Sequence, residues 1–100
     1  MNQGSVVTVV AEMVAQPGKE EDLKRQLLIL TVETRKEEGC IQYDLHQSTD
    51  NPGRFVFYEN WTSAETLDKH SKSAHILAFR AIRDGILAQP GRVLTYYRIA

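Results

Sequence analysis

The sequence predicts an α+β domain of the ferredoxin-like type, βαββαβ, with one antiparallel sheet and a second helix made in two pieces. Three observations lead to that class. Stretches rich in β-branched residues or alternating in polarity fall at 6–15, 40–47, 54–61 and 93–99, and the segments 19–38 and 62–88 carry apolar residues at helical spacing. Turn-forming clusters, Gln16-Pro17-Gly18, Thr49-Asp50-Asn51-Pro52-Gly53 and Gln89-Pro90-Gly91, punctuate the pattern. Finally, the first and third strands are apolar on both faces: Val6, Val10 and Val14 alternate with Val7, Val9 and Met13, and Phe55 and Phe57 with Val56 and Tyr58. Two helices cover only one face of a four-stranded sheet. The other face needs a cover from outside the chain, and a second copy of the same sheet supplies it, so a homodimer is expected.

Each element has a local cause. Val6–Ala15 (VVTVVAEMVA) is a β-branched run stopped by Pro17-Gly18. Glu20, Glu21 and Asp22 suit the positive end of a helix dipole, Leu23, Leu27 and Leu30 supply its buried stripe, and Gly39 is expected to end that helix as a left-handed C-cap. Cys40–Gln47 (CIQYDLHQ) alternates, and Arg54–Trp61 returns from the Thr49–Gly53 turn to complete a hairpin. Thr62 with Glu65 forms a capping box for a short helix running through about His70, and Ser73 caps another. In that last helix Ile76, Phe79, Ile82 and Ile86 make one apolar stripe, after which Pro90-Gly91 releases a final strand, Val93–Ile99.

The 100 residues suit one domain with its core between about 6 and 99. Charged residues make up 25% with both signs interspersed and a formal net charge of −1, so no basic stripe exists to displace phosphate counterions and nucleic acid is excluded as a partner. The apolar run Val6–Val10 is too short for a membrane span and lacks a basic leader, which makes the cytoplasm the expected location. Cys40 is the one cysteine; it rules out an intrachain disulfide and reads as a small buried hydrophobe.

The chemistry concentrates in FVFYENWTSAETLDKHSKSAH, Phe55 to His75. Side chains two apart on a strand share a face, so Phe55, Phe57, Glu59 and Trp61 point one way and Val56, Tyr58 and Asn60 the other. Glu59 therefore lands among aromatics, where a carboxylate needs a partner or a raised pKa. It either fixes strand geometry through such a partner or takes part in catalysis. Trp61 is either core or the flat wall of a pocket for an aromatic ligand. His70 and His75 are each candidate general bases near neutral pH, although His75, just inside a Ser73-capped helix, also fits a surface or capping role. Their spacing does not match His-x3-His, so no metal is expected. His46 has no polar cluster near it and reads as exposed.

These segments, PGKEEDL, KEEGCIQYDLHQ, FVFYENWTSAETLDKH and SKSAH, resemble the antibiotic biosynthesis monooxygenase family, from Val6 to about Ile99. The resemblance implies a dimeric α+β barrel made by two ferredoxin-like sheets. It also implies a pocket between sheet and helices, and oxidation of a small quinol- or anthrone-type aromatic by O2 with no metal, flavin or haem cofactor. It assigns His70 or His75 as base, Glu59 as orienter, Trp61 as pocket wall and hydrogen-bond donor, Phe57 and Phe79 as pocket lining, and Asn60 as a weaker contact that the strand alternation aims elsewhere. Haem-degrading relatives carry Asn and a haem-ligating His where this chain has Ala11 and Arg80, which disfavours haem. A branch that isomerises a phosphorylated sugar-like molecule supplies an alternative, for which Arg80, Arg83 or Arg98 would clamp the phosphate. A non-catalytic ligand-binding dimer is the remaining one.

Overall fold

The computed structural model describes residues 6–100. Its strands are β1 (Val7–Val14), β2 (Cys40–Gln47), β3 (Arg54–Trp61) and β4 (Arg92–Tyr96); its helices are α1 (Glu20–Thr34), α2 (Ala64–Ser71) and α3 (Ala74–Ile82), with a 3-10 turn at Arg83–Gly85. The sheet runs β2-β3-β1-β4 and every pairing is antiparallel, the ferredoxin-like arrangement.

Register carries the strand alternation into space. Ala11 lies opposite Phe57 and Val9 opposite Glu59, while Tyr43 faces Glu59 from β2. Val9, Ala11, Tyr43, Phe55, Phe57 and Trp61 are thereby buried on one face, under Leu23, Leu27 and Leu30 of α1 and Phe79 of α3. The helices close that face because their own apolar stripes have nowhere else to go. The opposite face keeps Tyr58 40% and Tyr96 50% exposed, and a hydrogen-bonded row crosses it from Thr8 through Asn60 and Gln42 to Asp44.

Five local expectations need correction. Helix α1 stops at Thr34, not just before Gly39: Arg35 is its C-cap, with its N–H still bonded to the Thr31 carbonyl, and the Arg35 guanidinium donates to the Tyr43 carbonyl and to Asp44. Gly39 does have positive φ (89°), but it serves the turn into β2, where a Cβ would lie 2.4 Å from the Thr66 side chain. The capping box of α2 is Ser63 with Thr66 rather than Thr62 with Glu65, since the Thr62 N–H is still bonded to the Gly39 carbonyl and the chain is first free to cap one residue later. Ile82 is 44% exposed. Six residues beyond Ile76 is about 240° round a helix, so Ile82 leaves the stripe that Ile76 and Phe79 share. Strand β4 ends at Tyr96, where its ladder with β1 reaches Thr8, so Tyr97–Ile99 are not strand. Cys40 is half-buried rather than a core residue, and His46 is exposed as expected. None of the helices of the described residues is long and apolar enough to cross a membrane.

Candidate functional site

Between the inner sheet face and the helical layer lies a cavity of about 600 Å³. Its depth is apolar: Val9, Ala11 and Phe57 come from the sheet, Leu30 from α1, and Ile76 and Phe79 from α3. Three titratable side chains reach it from the inside, Tyr43, Glu59 and His70, and two arginines, Arg80 and Arg83, line it while remaining solvent-exposed.

Glu59 is there because β3 alternates; its burial at 3% exposure is a consequence of position, with Phe57 on the same face. The Trp61 indole N–H donates to Glu59 Oε1 at 2.8 Å. Burial pushes the carboxyl up to about 7 against that hydrogen bond, which pulls it down, and the nearby charge of Glu37 adds to the rise. Near neutrality Glu59 therefore populates both protonation states and can hold a hydrogen bond as donor or acceptor. Tyr43, stacked on Phe57 with centroids 4.4 Å apart, is pushed the other way from usefulness as a base: burial raises its phenol pKa far above the ordinary value, so it stays a neutral donor.

His70 sits at the end of α2 with its ring against Trp61 (centroids 4.6 Å) and edge-on to Tyr43 (5.6 Å). Its Nδ1 is 2.7 Å from Glu37 Oε2, and His75 Nε2 approaches the same oxygen at 2.7 Å. A carboxylate only accepts, so each imidazole nitrogen facing it carries a proton. In neutral His70 that fixes the Nδ1–H tautomer and leaves Nε2 as an unprotonated acceptor. Burial lowers the His70 pKa, partly offset by the hydrogen bond and charge of Glu37, and His75 and Arg80 depress it further. The ring is thus held neutral and in one tautomer, the state a general base requires.

The structure separates the residues that the sequence grouped. Glu59, His70, Phe57 and Phe79 line the cavity. Trp61 does not: it is completely buried behind the wall, and its N–H is committed to Glu59 rather than offered to a ligand. His75 also lies outside the lining and touches the site only through Glu37. Asn60 is on the opposite sheet face, bonded to Thr8 and Gln42. Glu37 was missed. In Lys36-Glu37-Glu38-Gly39 it reads as one of several solvated charges, and no spacing in the sequence connects it to histidines 33 and 38 residues further on.

With Glu37 added, His70 and His75 do present a three-donor group whose ligand atoms lie within 4.8 Å of one another, a geometry that could hold a divalent cation. The histidine spacing alone did not reveal it. Of the three, only His70 borders the cavity; Glu37 and His75 are outside its lining.

A buried carboxyl and an oriented imidazole thus border one apolar chamber in an α+β protein built on a ferredoxin-like sheet. The chain belongs to the antibiotic biosynthesis monooxygenase family, whose model matches residues 6–82. It is 36% identical over 86 residues to the Mycobacterium tuberculosis protein named "Putative monooxygenase Rv0793", covering 86% of this chain and 84% of that one. The solved structure of Rv0793 superposes with a TM-score of 0.90 over 96% of this chain and 97% of that one, at 33% identity. PA3566 from Pseudomonas aeruginosa superposes with a TM-score of 0.92 over the full length of both chains, also at 33% identity.

Proposed function

We propose that the protein is a monooxygenase that oxidises a small hydroxylated aromatic, of quinol or anthrone type, with O2 and without a cofactor. One observation carries this reading: His70, fixed by Glu37 with Nε2 free, borders an apolar chamber together with a carboxyl that titrates near neutrality. His70 Nε2 takes the acidic proton of the substrate. The resulting anion is electron-rich enough to give one electron to triplet O2, and superoxide and the organic radical then combine at the activated ring carbon to form a carbon-bound peroxide. Loss of the remaining C–H proton with cleavage of the O–O bond leaves a carbonyl at that carbon. The other oxygen departs with two protons as water, so one O2 and one CH2 give one C=O and one H2O. In this reading Glu59 and the neutral Tyr43 phenol, which both border the cavity, hydrogen-bond the developing oxyanion or peroxide, and the apolar depth keeps the radical pair together.

A polar phosphorylated substrate for an isomerase is favoured only by the arginines at the rim; the apolar depth argues against burying a sugar there. The reading is tested by O2 uptake of the metal-free protein with a panel of quinols and anthrones, corrected for autoxidation. Turnover that disappears in His70→Ala supports it; no uptake above the blank with any of them refutes it.

The working unit in this proposal is a homodimer, formed by the outer sheet face, where Tyr58 and Tyr96 stand exposed around the Thr8–Asn60–Gln42–Asp44 row. Light scattering on the size-excluded protein should give twice the chain mass, and Tyr58→Glu should reduce it to that of one chain; a monomeric wild type rejects the dimer.

A further inference from the structure

We propose that Arg80 and Arg83 form an anion-binding position at the mouth of the cavity, and that the aromatic molecule the cavity takes therefore carries a carboxylate. The inference rests on the reading of the cavity as an aromatic-binding site and adds the second half of the ligand.

Arg80 lies in the last turn of α3 and Arg83 begins the 3-10 turn that follows, so they are three residues apart along one continuous helical rise. Side chains at that spacing are neighbours, and two like charges there repel. The negative end of the helix dipole accounts for cations in this turn. It does not account for both of them bordering the cavity. Among the described residues no carboxylate is within ion-pair distance of either guanidinium, although Asp84 and Glu12 also border the cavity. By contrast Arg25 and Arg35, elsewhere on the surface, are each paired with an aspartate. Arg54 and Arg92 are likewise without an ion-pair partner among the described residues but lie outside the cavity lining, so Arg80 and Arg83 are the arginines that bring unused fork-shaped donors to the cavity, the geometry that matches a planar carboxylate.

The position is coupled to the reacting end. The charge of Arg80 is felt at His70, where it is one of the lesser causes, after burial, of the lowered pKa. A ligand whose ring fills the apolar depth against Phe57 and Phe79 would present one end to His70 and Glu59, and a carboxylate at its other end would meet the guanidiniums at the rim. A phosphorylated sugar would satisfy the arginines and leave the apolar depth unfilled; a neutral aromatic would do the reverse.

Calorimetric titration separates these possibilities without requiring turnover. The probes are 6-hydroxy-2-naphthoate, whose hydroxyl and carboxylate lie at opposite ends of the ring system, neutral 2-naphthol and 2-naphthyl phosphate. The carboxylate is expected to bind about 10-fold more tightly than the naphthol at low salt, and the ratio should fall to about one in the doubly substituted Arg80→Gln/Arg83→Gln protein. Both positions are solvent-exposed, so the variant should keep its melting temperature, which is checked in parallel. A ratio near one in the wild type, or one that survives in the variant, overturns the proposal; tighter binding of the naphthyl phosphate overturns the carboxylate assignment. Failure of the oxygenase reading looks different: arginine-dependent binding with no O2 uptake would remove the reaction and leave the anion position standing.

Discussion

Replacing Glu59 with Gln should change how stability depends on pH. Gln keeps the carbonyl that accepts the Trp61 N–H and has nearly the same volume, so the variant removes the ionisation and little else. Glu59 titrates at about 7 in the folded chain against 4.5 for an unperturbed glutamate. The folded state holds this proton more tightly than the unfolded state, so folding stability falls as pH rises from about 4.5 to about 7 and is level beyond. The interval corresponds to about 3 kcal/mol, a large share of the stability of a small domain. His70 acts in the opposite sense: its lowered pKa means that stability rises with pH up to about 6.5. The two effects overlap, so the wild-type profile alone is ambiguous and the difference between wild type and Glu59→Gln isolates the carboxyl. Urea unfolding at intervals from pH 4.5 to 8 should show the variant gaining on the wild type by about 3 kcal/mol across that range. A difference that stays constant with pH would show that Glu59 ionises freely, and the argument from its burial would fail.

Other perturbations have equally definite outcomes. His70→Ala should lower quinol oxidation by about 10²- to 10⁴-fold, the usual worth of a general base, whereas His75→Ala should cost no more than about 10-fold because Glu37 still orients His70; equal losses would place both imidazoles in the chemistry. Trp61→Phe removes the hydrogen bond that holds the Glu59 carboxyl down, so a carbon-13 NMR titration should find it above about 7, and thermal melts should show a loss of about 1–2 kcal/mol. Gly39→Ala combines a φ of 89° with a Cβ 2.4 Å from Thr66, and chemical denaturation should register a cost of about 2 kcal/mol or more; an unchanged midpoint would mean that the turn relaxes freely.

The strand pattern was readable because a period of two is a local property: once Arg54–Trp61 is a strand, Phe57 and Glu59 must share a face and Asn60 must take the other. The same alternation by itself places Glu59 in an apolar setting. Helix ends are less legible: the C-cap of α1 is Arg35, whose side chain reaches the carbonyl of Tyr43 on another element, a contact that no local pattern announces.

What the sequence determined by itself was therefore the order of elements, the inward set of aromatics and the family. Only the tertiary structure decided which of those residues touch the cavity. It brought Glu37 to two histidines more than thirty residues away, put Trp61 behind the wall and left His75 outside the lining. Periodicity is written by neighbours along the chain, whereas a hydrogen bond between a loop and two helices exists only after the sheet has fixed where each of them lies.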